Sequence, residues 1–374
     1  PASTSSLAGT VASAHDAFAS AVPSSSSSGF SGELWMWDGE ADDTETVTEL
    51  GHYITGLHWS PNGLTLAVLS EQSPVTLLDM QSRESRKENV RSIGDASTTS
   101  FAWSPDGTQV ATGSGAQCLI WDLATEKEVK KLDGACVSVA WSPDGKWIVS
   151  SSKDGVVKVW DAHTGEENFS LVGHAGGVMN VDWSPDGLYI ATAGDDATAR
   201  IWDASSGEEL MLLSGHTNWV WSVAWSPDGN KLATASEDGT IRIWYALTGA
   251  ELSDIRLANP VWQAAWSPDG MNLATTSASG LAQVWDVSSG KQVFSLQGIT
   301  EGQFDIAWSP DSKSLVTTGG KAASVRIWNA LPLHLTLPDG PGQEPGAHRR
   351  HRRGHPRRAG DPPPARATPT SSTS

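Results

Sequence analysis

Two sets of side chains in this sequence have the make-up of a charge-relay site. His174, Thr192 and Asp196 form one, and His216, Thr234 and Asp238 form the other. A His that takes a hydroxyl proton while a carboxylate holds its ring is the chemistry of acyl transfer. Such a site is defined by geometry, however, and a residue list does not make one. Both sets occur at the same offsets, each closed by a tryptophan, Trp202 or Trp244. That repetition favours a structural role, because buried polar groups must be paired, each bond contributing about 1 kcal/mol net. Other chemistry is scarce. There is no Walker loop, no H-E-x-x-H, no C-x-x-C, no G-x-S-x-G and no G-x-G-x-x-G after a strand. The acidic run Asp38, Glu40, Asp42, Asp43, Glu45 lacks the central Gly and closing Glu of an EF-hand loop, so it reads as a solvated connection. Cys118 and Cys136 are too few for a disulfide framework or a zinc site. The expectation is a protein that is not an enzyme and needs no cofactor or metal.

The elements that hold these residues repeat. Trp-Ser-Pro-(Asp/Asn) starts at Trp59, Trp103, Trp141, Trp183, Trp225, Trp266 and Trp308, at spacings of 44, 38, 42, 42, 41 and 42 residues. About eighteen residues on stands a second signal, Ile120-Trp121-Asp122, Val159-Trp160-Asp161, Ile201-Trp202-Asp203, Ile243-Trp244-Tyr245, Val284-Trp285-Asp286 and Ile327-Trp328-Asn329, with Leu77-Leu78-Asp79 in the first copy. These two slots take 13 of the 19 tryptophans, so the aromatic content belongs to the repeat. Each copy reads as four short strands. In the fifth, Val220 to Trp225 alternates as a strand does, and Ser226-Pro227-Asp228-Gly229 is a turn in which Pro presets φ and Asp bonds its own backbone. Lys231 to Ser236, Thr240 to Trp244 and Glu251 to Leu257 supply the other three strands, with a tight turn at Asp238-Gly239.

Gly215-His216, Trp225, Asp238 and Trp244 together resemble a WD40 repeat, and the resemblance covers roughly Asp38 to Leu337. It implies an all-β, seven-bladed β-propeller of four-stranded antiparallel blades with disordered termini. It also implies that the last blade is closed by a strand from the other terminus, leaving no long sheet edge exposed. In this family a His, a Ser/Thr, an Asp and a Trp form a hydrogen-bonded tetrad. Two copies carry it whole: His174, Thr192, Asp196, Trp202, and His216, Thr234, Asp238, Trp244. The third keeps Ser150, Asp154 and Trp160 without the His. Copies two, six and seven keep only the Trp of the His, Asp and Trp, and in copy one His52 is present but Leu78 replaces the Trp. Blades four and five are therefore expected to be the best fixed. For the closure, Thr44 to Leu50 fits the outer strand of blade seven and is preferred, Leu333 to Leu337 fits the same slot, and Glu33 to Asp38 looks like the third strand of a degraded earlier repeat or an incomplete eighth blade.

The resemblance also places the residue four before each first-strand Trp at the mouth of the central channel. Around the ring these are Thr55, Thr99, Val137, Met179, Trp221, Trp262 and Phe304, and two positions earlier stand Tyr53 and Trp219. Nothing in the repeat demands aromatics there. Met179, Trp219, Trp221, Trp262, Phe304 and Tyr53, rimmed by Glu237 and Asp195, are the expected partner-binding residues of the top face. The competing reading is that Trp219 and Trp221 fold down onto each other.

The net charge is −18, and residues 331–374, with seven Arg and three acidic residues, leave the remainder near −22. So acidic a body argues against direct nucleic-acid binding and favours a basic-hydrophobic partner segment. No apolar run approaches a membrane span, and no secretory signal is visible, so a cytoplasmic or nuclear protein is expected. Residues 1–31, rich in Ser, Ala and Gly, are expected to be disordered, residues 32–337 to form the propeller, and residues 338–374 to be a basic Pro/Arg-rich disordered tail. The tail reads either as a localisation or anion-binding patch, or as a solvated segment or frame-shifted sequence with no role. Beginning at Pro1, the chain reads as processed or as a fragment. The leading functional reading is a non-catalytic scaffold or adaptor, a subunit of a multiprotein complex. The alternative is the sensor array of a larger signalling or NTPase protein. A propeller hydrolase, which needs channel-facing metal ligands, ranks last.

Overall fold

β-Branched and aromatic residues alternating at period 2, cut at short intervals by Pro, Asp and Gly, form strands and turns throughout this computed structural model. The structure describes residues 33–36, 45–49, 54–70, 73–81, 90–94, 98–296, 305–319 and 324–329. These make seven sheets, six of four antiparallel strands and one of five. The first strands are Ile54–Trp59 in blade 1, Ser100–Trp103 in blade 2, Val139–Trp141 in blade 3, Val178–Trp183 in blade 4, Val220–Trp225 in blade 5, Val261–Trp266 in blade 6 and Ile306–Trp308 in blade 7. Each is followed by its own second and third strand, so the seven-bladed propeller implied by the repeat is what the chain forms.

The seventh sheet departs from the four-stranded antiparallel pattern. Glu33–Met36 lies parallel to Ser324–Asn329, and Glu45–Glu49 then pairs antiparallel with Glu33–Met36 as the outermost strand. The closure does come from the N-terminal side, and Glu45–Glu49 is the outer strand, but a strand is inserted before it. Glu33–Met36 thus belongs to blade 7 and is not a blade of its own. Alternation at period 2 is the same for parallel and antiparallel neighbours, so the pattern could not give the direction of pairing. The tails, the alternative closing strand Leu333 to Leu337, His52, Tyr53 and Phe304 lie outside the described residues.

Turn chemistry is uniform. In blade 5 the buried Ser226 hydroxyl donates to Asp228 Oδ1 at 2.6 Å and accepts from Lys231 N at 2.9 Å, while Gly229 N reaches Ser226 O at 2.9 Å. Gly229 adopts φ +69, and a Cβ there would meet Pro185 of the neighbouring turn at 3.7 Å. Each such Gly therefore sits against the preceding blade's Pro. In blade 7 Ser312 takes the Gly position at φ +59, and its hydroxyl accepts from Asp269 N at 3.2 Å.

The core lies between blades. Seven apolar clusters are found among the described residues, and each draws on two adjacent blades. Lys231–Ser236 shows why: Leu232 packs into the junction with blade 4, and Ala233 and Ala235 pack into the junction with blade 6. Polar bonds cross the same junctions. Three residues before the first-strand Trp, a side chain accepts a backbone N–H of the next blade. Ser100 accepts from Val139 at 3.0 Å, Asn180 from Val223 at 3.0 Å, and Asp305 from Leu57 at 2.6 Å. The last of these bridges blade 7 to blade 1, where the ring closes.

Asp305 is buried, and burial pushes its carboxyl up to about 7 against the N–H groups of Leu57 and Ile306 that favour the ionised form. Its pKa in the fold lies above the ordinary value of 3.8, so the folded state holds this proton more tightly than the unfolded chain. The resulting stabilisation is full below the unfolded pKa and is lost as pH rises through about 7. Asp305→Asn cannot titrate. Between pH ~4 and ~8 the wild type should lose stability relative to that variant, by up to ~4 kcal/mol. Denaturant unfolding of both proteins across this range checks the slope; parallel curves would show that Asp305 is not the titrating group.

Candidate functional site

The structure assembles both His-Thr-Asp-Trp sets. In blade 4, Trp202 Nε1 donates to Thr192 Oγ1 at 2.9 Å, Thr192 Oγ1 lies 2.8 Å from His174 Nε2, and His174 Nδ1 lies 3.0 Å from Asp196 Oδ2. Blade 5 repeats this, with 2.9 Å from Trp244 to Thr234, 2.7 Å from Thr234 to His216 and 3.1 Å from His216 to Asp238. A proton on each Nδ1 makes the chain of donors consistent from indole to carboxylate. Burial lowers the pKa of His216, although Asp238 pulls the other way, so the ring is neutral at neutral pH. Burial opposes ionisation of Asp238, but Thr240 and the N–H groups of Thr217 and Thr240 outweigh it and lower the carboxyl to about 2. Asp196 is likewise held well below the ordinary carboxylate range, with His174, Thr198 and the Ala175 N–H overcoming burial.

The hydroxyls of this relay cannot meet a substrate. Thr192 and Thr234 are both 0% exposed, and each oxygen is already shared between an indole and an imidazole. The arrangement ties the second and third strands to the loop that enters the blade. In the degenerate copies the Ser/Thr–Trp bond survives alone: Ser150 with Trp160, Thr112 with Trp121, Thr275 with Trp285 and Thr317 with Trp328. Blade 1 loses both partners together, and Val68 and Leu78 pack there as a buried apolar pair. Replacing both ends of a buried bond is nearly neutral, whereas losing one is not.

Sequence reading missed two members of these networks. Arg200 pairs with Glu209 and lies 3.8 Å from Asp196, and Arg242 pairs with Glu251. A Cβ on Gly215 would meet the Arg242 guanidinium at 2.5 Å, which explains the Gly before the His. The signal was present in the spacing, since Lys158, Arg200 and Arg242 recur in register with Glu167, Glu209 and Glu251.

On the opposite side of the loop stands the aromatic set. Trp219 and Trp221 meet edge to face with centroids 5.3 Å apart, and Trp221 meets Trp262 of the next blade at the same distance and angle. Trp221 Nε1 donates to Glu237 Oε2 at 2.7 Å, which fixes the middle ring. The rings pack on each other, and all three are half-buried and outside the seven junction cores. The pairing explains their aim. Thr55, Met179, Trp221 and Trp262 are the extra residues of β-bulges in the first strands of blades 1, 4, 5 and 6. A bulge turns one side chain out of the ladder. Met179 and Asp195 form a second group in blade 4 beside Gly177, whose added Cβ would meet the Met179 methyl at 2.9 Å and Asp195 Oδ2 at 3.2 Å. Burial raises the Asp195 carboxyl, and the adjacent Asp196 charge adds to the rise against the Gly177 N–H and His174.

Among the described residues no group of three or more His, Cys, Asp or Glu side chains is placed to hold a metal, and no helix is long and apolar enough to cross a membrane. Comparison with known families gives two matches. The model described as IFT122 first beta-propeller matches residues 135–336, more than half of the 374 residues. The model of eukaryotic translation initiation factor eIF2A matches residues 17–162. No curated protein matches the chain.

His216→Ala tests the relay. It leaves Thr234 and Asp238 short of a buried partner and should cost about 1–3 kcal/mol. A thermal melt showing no change would remove the structural assignment.

Proposed function

The chain belongs to the WD40-type β-propellers that the IFT122 first beta-propeller model describes, and from that premise we propose that it is a non-catalytic scaffold whose top face binds a basic-hydrophobic segment of a partner protein. One observation carries this reading. The Trp219, Trp221 and Trp262 row contributes to no junction core, yet Trp221 and Trp262 are presented by backbone bulges, and Glu237 holds Trp221 in place. Blades 1 to 3 manage with Thr55, Thr99 and Val137 at the same position, so the fold does not require the rings. Preorganised aromatic rows are what binding hot spots are made of, because the rings bury much area at small entropic cost. Glu237, Asp195 and the acidic body supply the complement for Lys or Arg beside the apolar anchor. Within this reading the protein is a subunit of a multiprotein complex in the cytoplasm or nucleus and has no direct contact with nucleic acid or membrane.

Partners captured by the full chain and identified by mass spectrometry provide the assay. Trp221→Ala with Trp262→Ala should weaken their recovery by an amount corresponding to about 2 kcal/mol, roughly thirty-fold in Kd. The melt of the same variant should stay near wild type. Unchanged recovery would end the top-face reading, and a collapsed melt would show that the rings are core.

A further inference from the structure

The face opposite the tryptophan row is formed by the turns between first and second strands and between third and fourth strands. In blade 5 this face breaks the repeat. Blades 2, 3, 4 and 6 follow the third-strand Trp with Asp122, Asp161, Asp203 and Asp286, whose Oδ1 atoms accept backbone N–H groups of the turn at 2.7–2.8 Å. Blade 5 has Tyr245 there and lacks the side-chain acceptor, keeping the carbonyl bond from Gly249 N at 2.8 Å that Asp161, Asp203 and Asp286 also make to Gly165, Gly207 and Gly290. Two residues on, where the other four blades carry Ala124, His163, Ser205 and Ser288, blade 5 carries Leu247. Tyr245 is 47% exposed and Leu247 66%. On blade 6 the residue after the Ser-Pro-Asp-Gly turn is Met271, 58% exposed; blades 1 and 4 have the exposed Leu64 and Leu188 there, and blades 3, 5 and 7 the polar Lys146, Asn230 and Lys313.

A cleft of about 310 Å³ separates the two groups, bounded by the Ser-Pro-Asp-Gly turns of blades 5 and 6. It is lined by Asp228, Asp269 and Lys231, with Trp266 behind them. Lys231 is the cross-strand neighbour of Tyr245, and Met271 follows Gly270 of the lining, so apolar surface continues on both sides. The Asp228 carboxyl is held below its ordinary range by the Ser226 hydroxyl and Asn230, which keeps it anionic. Two carboxylates against one ammonium leave the cleft negative.

We infer that this face of blades 5 and 6 is a second docking site, which takes a partner segment carrying one Lys or Arg into the cleft and apolar residues onto Tyr245, Leu247 and Met271. Tyr245 and Leu247, exposed where other blades carry Asp and small or polar residues, add no packing to the fold, and with Met271 they make an apolar patch around a charged cleft, the layout of an interface. The cation is specified by charge complementarity with Asp228 and Asp269. This site stands independently of the top face, and together the two would let the ring hold two partners at once.

Random peptides displayed on phage and panned on the full chain test it. The decisive variant combines Leu247→Ser, Met271→Asn and Asp269→Asn, each a residue that another blade carries at the same position (Ser205, Asn230 and Asn62). It should melt with the wild type. Enriched peptides should carry Lys or Arg beside apolar residues, lose at least tenfold in binding to this variant, and keep their binding to the Trp221→Ala, Trp262→Ala protein. Leu247→Ser alone, at an exposed position, gives the same readout at smaller amplitude should the triple variant be unstable. No enrichment, enriched peptides without a basic residue, or equal binding to wild type and variant would overturn the inference. Peptides lost only from the tryptophan variant would also overturn it, while leaving the top-face reading standing.

Discussion

A four-stranded blade has two apolar faces and cannot bury either alone, and everything else in this protein follows from that. Each of the seven cores is shared by two neighbours, so no blade has a hydrophobic interior of its own. Such a chain is stable only as a closed ring, since any open end would leave a face like Leu232 or Leu273 in water. The junction between blades 7 and 1 is therefore as necessary as the others, although its sides lie far apart in sequence. Val316, Val325 and Ile327 meet Ile54, Leu57 and Leu66 there, and Asp305 adds its two acceptor oxygens. The N-terminal strand pair then covers the edge of Ser324–Asn329, which would otherwise invite another chain.

Because apolar junctions carry the ring, the polar networks inside single blades are free to erode. The Ser/Thr–Trp bond persists wherever the third-strand Trp does. His and Asp drop out of copies two, six and seven together, whereas copy three keeps Asp154 without the His, its carboxylate accepting from Val156 N. In blade 4 the network also holds strain. Ala197 sits at φ +64, where blades 3, 5 and 6 have Gly155, Gly239 and Gly280. Asp196 before it accepts from Ala175 N, Thr198 N and the Thr198 hydroxyl besides His174, and these bonds leave the turn no other conformation.

The parts of the fold that were legible in the sequence are those written by local rules. Ser-Pro-Asp-Gly specifies a turn, its period gives the blades, and the residues of the two relays stand at fixed offsets from it. What was not legible depends on neighbours remote in sequence. The parallel strand Glu33–Met36 shares its period with an antiparallel one. The bulges at Met179, Trp221 and Trp262 arise where a strand has one residue more than its partner, and alternation alone does not show which residue is extra. Asp182 and Asp305 look like ordinary surface carboxylates in sequence, yet both sit at junctions, Asp182 half-buried and Asp305 buried, where desolvation raises them to about 7. Of the candidate site, the tryptophans are legible because they break the repeat, whereas their edge-to-face packing and the bond to Glu237 depend on the folded neighbours.

Departures from a repeat carry information because the repeat defines what the fold requires. Blade 5 combines both kinds of evidence. It has the complete relay of His216, Thr234, Asp238 and Trp244, with Arg242 and Glu251 beyond it, and it also has the most unexplained side chains on both faces. Trp219 and Trp221 stand at one end of the blade, and Tyr245 and Leu247 at the other. The conjunction has a physical reason. An apolar residue at a rim, or a turn without its capping Asp, weakens the blade locally, and a blade whose relay is complete tolerates that weakening better than one that lacks it. Blades 2 and 6, lacking the relay, keep Asp122 and Asp286 in the corresponding turn. Blade 4 has the same intact network and keeps its turn Asp203, so the network permits the departures of blade 5 without requiring them.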